Sequence, residues 1–300
     1  MELTMLQFLA APFVASLILT GIHAYLGVHV VERGVIFVDL SLAQIAALGA
    51  TMALLMPISL GDPHAPVVYW ISLGFTFIGA AVFSMIRTRR ARIPQEAIIG
   101  ISYAVASAAA ILAMSKSTSQ AEHLKDMLVG NIIAVSWDEV LRTAVLYGII
   151  GAFHYVFRSK FLAISINPQR AEAAGISLRF WDFLFYASFG FVVTSSVAIA
   201  GVLLVFCYLI VPSVAAMLFA DRIGPRLAIG WSMGTIVSAL GVYLSLVLDL
   251  PTGATIVCTF GLVLVVLALV RLMIPGVQTR DVRYEGHDMH ERLATKATKA

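Results

Sequence analysis

The sequence predicts an all-α membrane protein, a polytopic bundle of eight to nine transmembrane helices. Of its 300 residues, 60% are hydrophobic and only 12% are charged, whereas soluble domains contain about 45–50% apolar and about 25% charged residues. At roughly 20 apolar residues for each bilayer crossing, this content would fill about nine spans. The apolar residues also lie in long runs separated by short polar segments. We therefore expect a multi-pass protein of the plasma (inner) membrane, in contact with lipid.

Composition also limits the possible function classes. The net charge is only +3 and the charges lie in blocks, which argues against a nucleic-acid partner because such binding needs a basic face. Cys207 and Cys258 both lie within apolar runs and have no disulfide or zinc-site spacing. The sequence contains no phosphate-binding loop and neither of the hydrolase motifs His-Glu-x-x-His and Gly-x-Ser-x-Gly. We therefore expect no enzyme and no bound cofactor, which leaves a transporter, a channel or a membrane anchor.

Nine apolar stretches follow one another along the chain, and each has about the length of one crossing. They are Met5–Leu26, Val35–Met56, Pro66–Ile86, Glu96–Ser115, Glu139–Phe157, Phe180–Ala200, Gly201–Ala220, Arg226–Leu248 and Gly253–Met273. Almost no loop separates the sixth stretch from the seventh. Either two helices meet in a very tight turn near Gly201, or the second is a broken half-helix, and Pro212 predicts a further kink. The predicted count is therefore eight or nine.

The positions of Lys and Arg predict which side of the membrane each loop faces. Basic residues are concentrated in residues 87–92, 158–179, 222–226 and after 271, whereas residues 57–65 and 249–252 contain none. The positive-inside rule places the basic segments in the cytoplasm, the N-terminus outside and the C-terminus inside. We expect residues 1–275 to form the transmembrane domain. Residues 276–300 are expected to form a flexible polar cytoplasmic tail, with a metal site at His287, Asp288 and His290 as the alternative.

The stretch after residue 35 carries the polar side chains most suggestive of a transport path. Ionisable residues within a span are costly and usually face the interior of a bundle. In a helix, Ser41 and Gln44 are roughly 60° apart, whereas Asp39 and Gln44 are about 140° apart. One polar aspect is predicted to face a translocation path and the other a neighbouring helix. The alternatives are that Asp39 pairs with Arg33 or another helix, and that Gln44 forms an interhelical hydrogen bond.

Residues 165–178 predict a short helix in a cytoplasmic loop. Asn167 is a suitable N-cap, Pro168 suits the first helical position, and Gly175 suits the position after the helix end. The alternatives are an ordinary loop helix and a lever that receives force from a soluble partner on the side where ATP is available.

Six segments follow one another in a characteristic order, namely residues 42–49, 96–101, 128–136, 167–175, 201–216 and 249–253. In sequence, order and spacing they resemble a known family, the zinc/manganese/iron-type permeases of ATP-binding-cassette (ABC) importers. The resemblance covers nearly the whole chain, from Leu6 to about Met273. It implies a homodimeric permease with the fold of the cobalamin importers, driven by a separate ATP-binding subunit that uses the ATP. An extracytoplasmic solute-binding protein would supply the substrate.

The same resemblance implies roles for particular residues. The coupling segment would dock Arg170, Ala171, Glu172 and Gly175 into the ATPase. The second helix of the family commonly has Asp and His four residues apart near the metal path. Here Leu40 and Gln44 occupy those positions, and Asp39 comes one residue early, which turns it by about 100°.

This departure leaves three explanations open. The helix twists so that Asp39 still contacts the metal transiently, or selectivity resides in the binding protein, or the substrate is not free zinc or manganese, since Gln is a poor zinc ligand. The leading hypothesis is an importer permease for divalent zinc, manganese or iron. The alternatives are a permease for a metal chelate or another small nutrient, an ATP-independent channel or secondary carrier, and a membrane anchor without a path.

Overall fold

The computed structural model describes residues 2–57, 65–86, 94–115, 130 and 132–274, with side chains from residue 9 onward. In these ranges the regular structure is entirely helical, as the composition predicts. The helices are α1 (Glu2–Arg33), α2 (Val38–Leu54), α3 (Pro66–Ile86), α4 (Gln95–Met114), α5 (Trp137–Val156), α6 (Arg158–Ile166), α7 (Pro168–Ala173), α8 (Leu178–Met217), α9 (Ile223–Leu248) and α10 (Thr252–Met273). A 3₁₀ turn covers Ile132–Ala134. The predicted C-terminal tail and the arginine cluster at 87–92 lie outside the described residues.

The predicted count of eight to nine membrane helices is not confirmed. Within the described ranges, six helices are long and apolar enough to cross a membrane, or seven if α5 and α6, which meet at 73°, form one bent span. Two differences explain the smaller number. Helix α2 has only 17 residues, and the two stretches predicted on either side of Gly201 are counted together as the 40-residue α8, which is broken at Gly201.

Helix α1 is longer than the predicted stretch, which ends at Leu26. It continues to Arg33 because polar side chains in its last two turns have buried partners. The His29 ring bonds to Ser165, and the Arg33 guanidinium bonds to Asp182. These partners come from distant parts of the chain, so the helix extends beyond the end of its apolar run.

Within α8 the backbone leaves the helical region at Gly201, where φ is 73° and ψ is 163°. Glycine takes this left-handed conformation without the steric cost that a Cβ atom would bring. The helical dihedral angles continue through Pro212, although this residue lacks the amide hydrogen of a normal helical position. Helix α8 therefore has two legs, residues 178–200 and 202–217, that meet at Gly201.

The first leg of α8 runs antiparallel to α1. The Ser196 hydroxyl lies 3.3 Å from Nε2 of His23, and an Asp182 oxygen lies 2.6 Å from a nitrogen of Arg33. Later residues of this leg thus lie beside earlier residues of α1.

The second leg returns along the same helix. The Ser213 hydroxyl contacts the carbonyl of Ala24 at 3.4 Å. Just beyond the leg, the carbonyl of Ala220 accepts a hydrogen bond from Arg226, whose guanidinium also pairs with Glu32 near the end of α1. Gly201 lies past the level of His23, away from Arg33, so the chain reverses there and α1 packs against both legs.

Helix α2 packs against α3, α4 and the two-legged α8. The Ser72 hydroxyl of α3 donates to the carbonyl of Ala46 at 2.7 Å, and Gly79 further along α3 lies against Leu42. These contacts make α2 and α3 antiparallel. The outer faces of α4 and α10 are different, because their leucine and isoleucine side chains are largely exposed. Such an apolar surface suits contact with lipid or with another helix.

Replacing Gly27 with alanine should destabilise the contact between α1 and the second leg of α8. A Cβ atom at this position would collide with the Leu209 carbonyl and the Ser213 hydroxyl. Overpacking of this kind typically costs about 1–3 kcal/mol. The thermal unfolding midpoint of the purified protein in detergent should therefore fall.

Gly21→Ala is the matched control, because it lies on the same helix and its added Cβ would have no neighbour within 4 Å. Its midpoint should stay the same or rise, since alanine is the better helix former. An equal fall in both variants would show that close packing at Gly27 is not the cause.

Candidate translocation and coupling sites

The three predicted path residues all lie on α2 and are buried. Asp39 is 1% exposed, and Ser41 and Gln44 are also shielded. Because α2 is one regular helix, the predicted angles apply: Ser41 and Gln44 share one aspect, and Asp39 lies on another. The structure therefore does not bring the three side chains together on a single face.

Asp39 and Ser41 have unusual polar environments. Among the described residues, neither Oδ1 of Asp39 nor the Ser41 hydroxyl has a hydrogen-bond partner. Asp39 lies on α2, which packs against α8. Arg33 forms its ion pair with Asp182 and not with Asp39, contrary to one alternative from the sequence.

Glu96 holds the beginning of α2. Its Oε1 accepts a hydrogen bond from the backbone amide of Phe37 at 2.9 Å, at the position where a helix start otherwise leaves its amides without partners. The neighbouring Gln95 donates to the carbonyl of Phe83 and to the Tyr186 hydroxyl. The start of α4 thus connects to α2, α3 and α8 at one end of the bundle. The sequence offered only one signal for this role, an acidic residue at the start of an apolar stretch.

The break in α8 is covered by Gly130, which lies in the segment before α5. A Cβ atom on Gly130 would collide with the backbone of Ala200 and Gly201. The neighbouring residues 128, 129 and 131, which belong to a family-like block, lie outside the described residues. The close approach therefore joins the segment before α5 to the reversal point of α8.

The predicted coupling segment forms the short helix α7. Oδ1 of Asn167 accepts a hydrogen bond from the amide of Arg170 at 2.9 Å, so Asn167 is the N-cap. At the other end Gly175 has a φ of 79° and donates its amide to the carbonyl of Glu172. Ala171 is buried, whereas the side chains of Arg170 and Glu172 are exposed. The helix thus presents charged groups to solvent while a small apolar residue anchors it.

A buried polar cluster beside α7 was not predicted as a functional site. Arg33 reaches both Asp182 and Ser165, and its guanidinium carbon lies 3.9 Å from the centre of the Phe185 ring. The available signal was an arginine at the end of an apolar run, but sequence alone does not reveal its partners. Within the described ranges, no three His, Cys, Asp or Glu side chains converge as a metal-binding group.

The family model and the similar proteins agree on one family of transport proteins. The model of the ABC 3 transport family matches residues 5–271. The manganese transport system membrane protein MntC of Listeria innocua is 27% identical over 202 residues, which cover 65% of this chain and 71% of that protein. The chelated iron transport system membrane protein YfeC of Yersinia pestis is 25% identical over 242 residues, which cover 81% of this chain and 79% of that protein.

A solved structure shows the same fold. A chain of PsaBC from Streptococcus pneumoniae in complex with Fab superposes with a TM-score of 0.73 and 19% identity, and the match covers 93% of this chain and 97% of that chain. The family match spans every described helix from α1 to α10. The chain therefore belongs to the ABC 3 transport family and is a metal-type ABC transporter permease.

Proposed function

We propose that this chain is the membrane-spanning permease subunit of an ATP-driven importer for divalent metal ions. In this proposal a separate ATP-binding subunit hydrolyses ATP, and an extracytoplasmic solute-binding protein delivers the metal. The observation that carries the proposal is the family match over residues 5–271, together with relatives whose names describe manganese and chelated-iron transport systems. The lack of a phosphate-binding loop in the sequence agrees with a separate ATPase.

The chemistry of α2 favours manganese over zinc as the substrate. Asp39 supplies carboxylate oxygens and Gln44 an amide oxygen, and oxygen ligands suit manganese better than they suit zinc. Passage contacts need only be weak, because tight binding slows release. We therefore assign Asp39, Ser41 and Gln44 to the translocation path, with Asp39 as a transient metal contact. The name of YfeC favours chelated iron as the second candidate substrate.

The arrangement of helices supports nine crossings with the N-terminus outside and the C-terminus in the cytoplasm. The two legs of α8 run in opposite directions along α1, so each counts as a crossing. Helix α2 counts as another, because it runs antiparallel to α3 and shares its starting end with α4. This topology places α7 and its exposed charges in the cytoplasm, as the positive-inside rule requires.

Helix α7 is the proposed docking element for the ATPase. Arg170 and Glu172 would contact the partner, while Ala171 and Gly175 fix the helix on the permease. Two copies of the chain would form the path, each with one ATP-binding subunit. Closure of the ATPase pair would then shift the population between outward-open and inward-open states, without chemistry in this chain.

Proteoliposomes test the ATP-driven import directly. Liposomes that contain the chain, its ATPase subunit and its binding protein should accumulate Mn²⁺ only when ATP is hydrolysed. A non-hydrolysable ATP analogue is the control. Rapid Mn²⁺ flux down a gradient through the chain alone would instead identify a channel or a secondary carrier.

The substitution Asp39→Asn should reduce Mn²⁺ uptake while leaving the assembled complex intact. The amide preserves shape but removes the charge that attracts a cation, and we expect a loss of about ten-fold or more, which is about 1.4 kcal/mol in the barrier. Uptake of radioactive Mn²⁺ into the same proteoliposomes measures the effect.

Asp138→Asn is the matched control for this substitution, because the Asp138 side chain is 76% exposed on α5. Its uptake should equal that of the unmodified protein. If Asp39→Asn also keeps full uptake, Asp39 does not belong to the path.

Glu172→Arg should weaken docking of the ATPase subunit. Reversal of an exposed charge at an interface introduces like-charge repulsion, and we expect a reduction in affinity of about ten-fold or more. Co-purification and light scattering in detergent measure the assembly. Asp138→Arg, at the opposite end of α5 from α6, should leave assembly unchanged. If both variants assemble with the ATPase equally well, α7 does not belong to the interface.

A further inference from the structure

The buried guanidinium of Arg33 contacts the chain both before and after α7. Arg33 donates from one terminal nitrogen to Asp182 at 2.6 Å and from Nε to the Ser165 hydroxyl at 2.9 Å. Ser165 lies just before α7 and Asp182 just after it. The side chains of Arg33 and Asp182 are 1% and 0% exposed. Since water is excluded, this ion pair is a fixed contact and not a mobile surface pair.

The groups around Arg33 restrict its position further. The Ser165 hydroxyl donates its single proton to the carbonyl of Phe161 at 2.9 Å. It also accepts from Nε of Arg33 at 2.9 Å and lies 2.8 Å from Nδ1 of His29. The Phe185 ring covers one face of the guanidinium. Arg33 is thus held by Ser165 of α6 and by Asp182 and Phe185 of α8.

The same residue is also the last residue of α1. Gly34 follows with a φ of 66°, and α2 begins at Val38 with Asp39 in its first turn. The start of α2 is held on its other side by Glu96. A displacement of the segment around α7 therefore reaches the α1–α2 corner through Arg33. A second ion pair at this end, between Glu32 and Arg226, joins α1 to α9.

We propose that Arg33 and Asp182 are positioning residues that transmit movement of α7 to the path helix α2. This inference rests on the proposed function, because it assumes that an ATPase docks on α7 and that α2 lines the path. The pair does not touch substrate or nucleotide. It makes the coupling segment, the end of α1 and the beginning of α2 move as one body, so that ATP-driven closure at α7 changes access at Asp39.

The double variant Arg33→Met with Asp182→Leu tests the proposal. It removes both charges of the pair together at similar volume, so that neither is left without the other, and cores of this kind generally keep their fold. In proteoliposomes with the ATPase subunit and the binding protein, we measure ATP hydrolysis and Mn²⁺ uptake on the same sample. Hydrolysis should persist, while Mn²⁺ taken up per ATP hydrolysed should fall about ten-fold or more, the range of a typical coupling between sites.

The matched control is Arg142→Met with Asp138→Leu, which removes an ion pair whose side chains are 81% and 76% exposed on α5. Its uptake per ATP should equal that of the unmodified protein. Arg33→Lys is the second variant, because it keeps the charge but loses the forked geometry that reaches Asp182 and Ser165 together. We expect an intermediate uptake per ATP for it.

The outcomes separate the two proposals. If the unmodified protein shows no ATP-dependent Mn²⁺ uptake, the importer function fails. If the unmodified protein transports and the double variant keeps its uptake per ATP, the link through Arg33 is wrong while the importer function stands. A parallel loss of hydrolysis and uptake in both Arg33 variants also overturns the link, because it indicates a purely structural role.

Discussion

Helix α1 packs against both legs of α8, and the arrangement of the bundle depends on that contact. His23 and Arg33 meet the first leg, while Ala24 and Gly27 meet the second. Within a bilayer no water can satisfy an open backbone, so the reversal at Gly201 has to be enclosed by protein. Gly130 supplies that enclosure from the segment before α5. The close packing of α1 against both legs and the break at Gly201 therefore determine how the central helices are arranged.

The packing of α1 against α8 also connects the proposed docking helix α7 with the proposed path helix α2. Lipid provides no hydrophobic drive for helices to associate, so close packing and buried polar contacts specify their positions. Most of the buried polar contacts of α1 lie in its second half, where His29 and Arg33 meet α6 and α8. The end of α1 then leads through a four-residue turn into α2. The proposed path and the proposed docking helix are therefore adjacent through side chains that are distant in sequence.

The sequence predicted those features that depend on local composition. Apolar runs gave the helices, and the cap at Asn167 with the stop at Gly175 gave the short helix α7. Local composition could not give the partner of a buried charge. The pair between Arg33 and Asp182 joins residues 149 positions apart, and either residue alone resembles an ordinary charge at a helix end. The extension of α1 past Leu26 was missed for the same reason, because tertiary contacts and not apolar residues sustain it.

Asp39 differs from the other charged side chains that lie inside the bundle. Arg33 pairs with Asp182 and Arg226 pairs with Glu32, so these charges neutralise one another. Among the described residues, Asp39 forms no such pair, and one of its oxygens has no hydrogen-bond partner. A buried carboxylate in this setting is costly, and in the proposed path a passing cation would reduce that cost by supplying the missing charge. Ser41 and Gln44, on another aspect of α2, offer only neutral oxygens, so the proposed path would attract the cation without holding it tightly. Weak retention with a single charged contact is the property that rapid passage requires, which is why a helix without the usual histidine still suits a translocation path.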